Sequence, residues 1–171
     1  MHIRAETAER HTLAVLVDNE PGILARIAGL FTARGYNIES LTVSDVSADK
    51  ATSRITIVTS ASAATMEQII AQLDRLVPVH SVTDLTALGP HVERELALVK
   101  VAGTGDHRIE ALRLADVYRA RVLDATTGSF VFEVTGGRDK IDKFVELMGE
   151  VGLVEVARTG IVAIARGREA A

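Results

Sequence analysis

The residues best suited to chemistry stand in one segment, Asp18 to Leu41, which reads DNEPGILARIAGLFTARGYNIESL. The chemistry they point to is recognition. Gly22 sits at the start of a predicted helix, where unpaired backbone N–H groups meet the positive end of the helix dipole. A residue without Cβ there lets a small carboxylate approach the backbone with no basic side chain nearby. Asp18 or Asn19 is expected to cap that helix, Ile23 and Leu24 to wall the cradle, and Asn37 to bring an amide beside the aliphatic Ile38. One anion seat, amides that both donate and accept, and several branched aliphatics suit a small apolar amino acid. A tight Pro21–Gly22 loop with no ligand is the competing reading, and the residues alone leave it open.

Other chemistries lack their residue sets. The chain has no cysteine, which excludes disulfides, thiolate catalysis and cysteine-bound metal. His2, His11, His80, His91 and His107 are scattered, with no HExxH pair, so no metal site is expected. The GTGD loop, Gly103–Asp106, lacks both the third glycine of a dinucleotide fingerprint and the lysine of a P-loop, and it reads as a turn. No serine stands in GxSxG. Glu39, Asp45 and Asp49 could in principle hold a cation, but a hairpin turn accounts for the two aspartates. No constellation resembles an active centre, so the expectation is a binding or regulatory protein without a cofactor of its own.

The elements that must position this segment follow from periodicity. An apolar run, His11–Val17, reads as a strand that ends at Asp18. A helix follows over Pro21–Arg34, with Leu24, Ile27, Ala28 and Phe31 on its core face and Ile23 and Leu30 flanking. Gly35 stops it with a left-handed residue. Strands over Tyr36–Val46 and Thr52–Thr59, a helix over Ala63–Leu76 and a strand over Val79–Leu88 complete a βαββαβ order. Gly89–His91 punctuates the chain, and the order then repeats. The repeat has strand Leu96–Ala102, helix Arg108–Arg119, strands Arg121–Thr126 and Phe130–Val134, helix Asp139–Gly149, and closing strands Leu153–Val156 and Ile161–Ala165. The expected fold class is α+β, two ferredoxin-like βαββαβ domains over 11–88 and 92–166, with loose ends at Met1–Arg10 and Arg166–Ala171. A fragment ending at Gly89 is expected to fold by itself.

Composition narrows the partners. With 171 residues, a formal net charge of −4, 4% aromatic residues and no tryptophan, the chain offers neither a basic field nor stacking platforms, so nucleic acid is not expected. No apolar run approaches the ~20 residues that span a bilayer. The first ten residues lack the order of a secretory signal, so a cytoplasmic location is expected.

The stretches DNEPGILARIAGLF and RGYNIESL, SRITIV at Ser53–Val58, HVERELALVKV at His91–Val101 and EVARTGIVAIARG at Glu155–Gly167 resemble the regulatory small subunits of acetolactate synthase (acetohydroxyacid synthase). The resemblance covers His11–Gly167, and it makes the first half an ACT domain. It implies a non-catalytic subunit that binds and activates a catalytic large subunit, a transferase carrying thiamine diphosphate, FAD and magnesium. That partner makes acetolactate, the first common step toward valine, leucine and isoleucine. The resemblance further implies feedback inhibition by valine bound between two ACT domains of a homodimer. The positions it carries over are Asn19, Gly22, Ile23, Leu24, Asn37 and Ile38. The strand after Gly35 is expected at a sheet edge, where pairing with a second copy would bring Asn37 of one chain toward the Pro21–Leu24 loop of the other. A stand-alone ACT-type amino-acid-binding regulator of another partner and an enzyme with an unrecognised site are the competing readings.

Overall fold

A computed structural model of the chain describes residues 8–168, so the expectations for residues 1–7 and 169–171 lie outside the described residues. The described residues divide into two compact units, 8–92 with 161–168, and 93–160. In the first unit, β1 (Glu9–Asp18), α1 (Ile23–Ala33), β2 (Ser40–Asp45), β3 (Thr52–Ala61), α2 (Ala63–Leu73) and β4 (Val79–Asp84) follow in the expected βαββαβ order. The sheet order is β2-β3-β1-β4. β1 is antiparallel to β3 (Leu13 opposite Ile57) and to β4 (Val15 opposite Val82), and β3 is antiparallel to β2 (Leu41 opposite Ile57). β1 and β2 therefore point the same way, which is what a helical crossover between them requires.

The strands bury alternate residues because side chains alternate faces with period two. Leu13, Val15, Val17, Ile55 and Ile57 meet α1 and α2 in one core, to which α2 contributes Met66, Ile69 and Leu73. On α1 the buried stripe is Ile23, Ile27 and Phe31, spaced by four, while Leu24 is 41% exposed. The expected core face is thus turned by one residue. Leu24 and Ile23 lie ~100° apart on a helix, and only packing against the sheet chooses between them.

Both ends of α1 are defined by glycine. At the C-terminal end Gly35 is left-handed (φ 69°), its N–H donates to Thr32 carbonyl (3.2 Å), and Tyr36 N–H donates to Phe31 carbonyl (2.9 Å). This is a Schellman motif, sealed by an edge contact of Tyr36 on Phe31, with ring centroids 6.1 Å apart.

Several element bounds differ from expectation. β1 begins at Glu9, so Glu9 and Arg10 are ordered strand. β2 begins at Ser40 rather than Tyr36. β4 ends at Asp84, whose carboxylate accepts the Thr86 and Ala87 N–H groups and caps a single turn, α3 (Leu85–Leu88). An aspartate followed by three free N–H groups favours a cap over continued strand.

The second unit contains most of β5 (His91–Ala102), then α4 (Asp106–Val117), β6 (Arg121–Ala125), β7 (Ser129–Gly136), α5 (Arg138–Gly149) and β8 (Leu153–Arg158). Its order, β6-β7-β5-β8, repeats that of the first sheet. The core holds Val99, Val101, Ala111, Leu114, Phe132, Ile141, Phe144 and Met148. Phe132 meets Phe144 edge-on at 6.3 Å, and Tyr118 lies 5.4 Å from Phe144. Glu95, only 5% exposed, receives both Arg158 Nε and Nη2 at 2.7 Å, and Arg158 Nη1 reaches Asp142 at 2.6 Å. A bidentate carboxylate pair of this kind keeps a buried charge compensated.

The C-terminal strand β9 (Val162–Ala165) pairs with β5 and makes the second sheet five-stranded, as the expected closing strand does. By compactness, residues 161–168 group with the first unit, as do the opening residues of β5. Ile161 and Ala163 are buried with Ala14, Val58 and Leu85 on the sheet face away from α1 and α2. A fragment ending at Gly89 would keep the larger core and leave Ala14, Val58 and Leu85 without Ile161 and Ala163.

Candidate functional site

β1 ends where Asp18 N–H donates to Pro78 carbonyl and Asn19 N–H to Ala51 carbonyl, both at 2.8 Å. The chain then turns through Glu20, Pro21 and Gly22 into α1. Gly22 is the N-cap residue itself, left-handed at φ 90°, and no side chain caps the helix. Pro21 therefore precedes the helix, and the expected cap from Asp18 or Asn19 is not made. The Asn19 amide donates instead to Asp45 Oδ1 (3.1 Å) and Lys50 carbonyl (2.9 Å), tying the Gly22 loop to the end of β2 and the hairpin that follows it.

The first i→i−4 bond of α1 runs from Arg26 N–H to Gly22 carbonyl at 3.0 Å, so the Leu24 and Ala25 N–H groups have no partner within the helix. A Cβ built on Gly22 would meet nothing within 4 Å, which leaves this end open. The other long helices begin differently. Ser62 caps α2 by accepting Thr65 N–H, while α4 and α5 carry Asp106 and Asp139 in their first turns. The N-terminus of α1 has neither a side-chain cap nor an acid in its first turn, so its partial positive charge is not neutralised by its own sequence.

The six expected site residues fall into two groups. Asn19, Gly22, Ile23 and Leu24 lie at the start of α1; Ile23 is 6% exposed and faces the core, while Leu24 offers an apolar wall to solvent. Asn37 and Ile38 lie past the other end of α1. An eleven-residue helix is roughly 16 Å long, so within one chain the two groups do not meet around one small ligand. Asn37 is exposed, and its carbonyl accepts Thr59 Oγ1 at 2.6 Å; Ile38 is half-buried against the core. Sequence reasoning does not single out Thr59, although a hydroxyl at the end of the apolar run Ile55–Val58 is a legible signal. β2 is an edge strand, as expected, with Val43 45% exposed.

The remaining candidates have structural partners. Asp45 accepts Ser53 Oγ (3.2 Å) besides Asn19, and Glu39 accepts Ser60 Oγ. Asp49 accepts Ala51 N–H (3.0 Å), and the Ser47 hydroxyl followed by that N–H holds its carboxyl below the ordinary aspartate value. No group of three metal-ligating side chains occurs among the described residues. His11 Nδ1 donates to Asp84 and His80 Nε2 to Asp18, each at 2.7 Å. In the GTGD loop, Gly103 N–H donates to Gly128 carbonyl (3.0 Å) and Asp106 occupies the first helical turn, where its charge opposes a phosphate. No helix among the described residues is long and apolar enough to cross a membrane.

Both halves of the chain match known families. Residues 13–81 match the family model for the small-subunit-like ACT domain of acetohydroxyacid synthase, and residues 94–167 match the model for the small subunit of acetolactate synthase. A probable acetolactate synthase small subunit of Archaeoglobus fulgidus is 46% identical, covering 94% of this chain and 99% of that one. The acetolactate synthase small subunit of Haemophilus influenzae is 42% identical over 94% and 98% of the two chains. The crystal structure of the small subunit from Thermotoga maritima superposes with a TM-score of 0.86 at 36% identity, covering 94% of this chain and 99% of that one.

Proposed function

Because the chain belongs to the acetolactate synthase small subunit family, we propose that it is a regulatory, non-catalytic subunit that binds and activates a catalytic large subunit and confers inhibition by valine. In this reading thiamine diphosphate, FAD and magnesium reside on the partner, and both subunits work in the cytoplasm. The first unit is the valine-binding, dimerising half.

The observation that carries the reading is the placement of the two residue groups about the edge strand. The open end of α1 is tied through Asn19 to Asp45 at the end of β2, and Asn37 leads into the start of that same strand. If two copies pair β2 against β2 about a two-fold axis, the strands run antiparallel, and the start of one lies beside the end of the other. Asn37 of one chain then stands near Gly22 and Leu24 of its partner. The separation that defeats a site within one chain is what a site shared between two chains needs. The valine carboxylate would take the free N–H groups of α1, Leu24 and the partner's Ile38 would flank the isopropyl group, and the Asn37 amide oxygen would accept from the ammonium group.

Reconstitution with the large subunit tests this directly, with acetolactate formation measured with and without this chain and with and without valine. Activation that valine reverses is expected; a chain that leaves turnover unchanged overturns the proposal. Titration calorimetry of valine into Asn37→Leu should show affinity lower by roughly ten- to a hundredfold, since a charged donor loses its acceptor. Unchanged affinity would place the ammonium partner elsewhere.

A further inference from the structure

Residues 36–39 form an irregular link between α1 and β2, and within it Asn37 is exposed. An exposed, irregular segment that must present one amide to a ligand has to be held by its neighbours. Two of its ties come from β3: Thr59 Oγ1 donates to Asn37 carbonyl, and Glu39 N–H donates to Val58 carbonyl at 2.8 Å. The third comes from the far end of the chain. Ile161 N–H donates to Ser40 Oγ (2.8 Å), and Thr42 Oγ1 donates to Ile161 carbonyl (3.1 Å). Ser40 and Thr42 are two apart on β2, so both hydroxyls project from the same face.

This face is the one that a ferredoxin-like sheet ordinarily leaves to water. Here Arg54 Nη2, on the neighbouring strand β3, holds Ala163 carbonyl at 3.1 Å, and Ile161 packs on Ala14, Val58 and Leu85. The segment 161–163 thus has apolar anchorage on the inner strands and hydroxyl bonds to the edge strand. A merely sealing strand would need only the first.

Resting on the valine reading above, we infer that Ser40 and Thr42, bonded to the C-terminal segment Ile161–Ala163, are positioning residues of the effector site. They fix the start of β2 and thereby the place from which Asn37 and Ile38 meet the ligand. The C-terminal strand is then a structural part of each half-site, although it touches no ligand.

Valine titration calorimetry on the full chain provides the test, using wild type, Ser40→Ala, Ser40→Thr and Thr42→Val. Ser40→Ala should weaken valine by roughly three- to tenfold, the scale of one neutral hydrogen bond, and Thr42→Val by a similar factor. Ser40→Thr, which keeps the hydroxyl, should recover most of the loss. Heterodimers of Ser40→Ala with Gly22→Asp chains add a readout that general destabilisation would not give. Both lesions fall in one site, and the other site should keep wild-type affinity. Unchanged affinity in Ser40→Ala, no recovery in Ser40→Thr, or weakening of both heterodimer sites overturns the inference while leaving valine binding intact. A wild-type chain that does not bind valine overturns the functional reading and this inference together.

Discussion

The two sheets share one strand order, β2-β3-β1-β4 and β6-β7-β5-β8, but they finish their outer faces differently. In the first unit that face carries α3 and β9, and Ile161, Ala163, Leu85, Ala14 and Val58 are buried there. In the second unit the corresponding face is a shallow hollow lined by Leu98, Lys100, Val131, Glu155 and Ala157, crossed by ion pairs of Lys100 with Glu155 (2.7 Å) and Arg121 with Glu133 (3.5 Å). The helices differ in the same sense. α4 and α5 neutralise their own N-termini with Asp106 and Asp139, whereas α1 leaves its end open. One copy of the architecture carries an acid in the first turn of both its long helices; the other has an open helix end and an edge strand pinned from outside its own sheet. The fold does not choose between these fates, and a few local residues do.

The largest expected effect lies in the second unit. Arg158→Ala leaves the Glu95 carboxylate buried without its partner and should cost about 3–4 kcal/mol, toward the low end of the usual range because Arg158 is itself a third exposed. A shift in the urea midpoint measures it, and a change below about 1 kcal/mol would show that water already compensates Glu95.

Next is the contrast between helix ends. Gly22→Asp puts a carboxylate at the N-cap of α1, beside its free N–H groups, and forces a side chain into a left-handed residue. Valine affinity should fall at least roughly a hundredfold, about 2.7 kcal/mol, with activation of the large subunit retained. Wild-type valine sensitivity in this variant would move the carboxylate seat away from α1.

The contrast between outer faces predicts a smaller difference. Ile161→Ala, at 2% exposure, should lower stability by about 2 kcal/mol, while Leu98→Ala on the bare face should stay within about 0.5 kcal/mol. Equal losses at the two positions would remove the distinction between a covered and an uncovered sheet.

The smallest effect concerns pH. Lys100 bonds to Glu155 and holds its carboxyl below the ordinary value of 4.5. The pair therefore stabilises the folded state above that ordinary value, and its contribution disappears as pH falls through the lowered folded value. In Lys100→Met the Glu155 titration, followed by NMR, should move upward toward 4.5 with little change in stability, because the pair is open to solvent. An unmoved titration would mean that Lys100 does not engage Glu155 in solution.

Much of the fold is legible from short-range signals. The alternating strands, the Gly35 stop and the two βαββαβ orders each depend on residues within a few positions of one another. The same holds for the open glycine at the head of α1. Where sequence and structure part, more distant groups are responsible. Asn19 looks like a helix cap, but its amide finds Asp45 and Lys50 across the hairpin, and these partners compete with a local bond. Leu24 and Ile23 exchange places because a helix has no intrinsic inside. For the candidate site, the residue types and their separation by a helix are readable, but the bonds of Asn19 that tie the Gly22 loop to the end of β2 are not.

The sequence by itself determined the period of each element, the special residues at its ends, and hence a pair of α+β units. These follow from local sterics and from alternation, which every short peptide carries with it. Only the tertiary structure decided that Ile161 and Ala163 are buried on the first unit while β9 pairs with β5. Nothing in the residues of this segment names the partners it takes. The choice was made by groups far away in the chain, with Ser40, Thr42 and Arg54 supplying partners for the backbone of residues 161–163 and Ala14, Val58 and Leu85 supplying the apolar bed. A buried backbone group must find a hydrogen bond somewhere, and where it finds one is a property of the assembled surface.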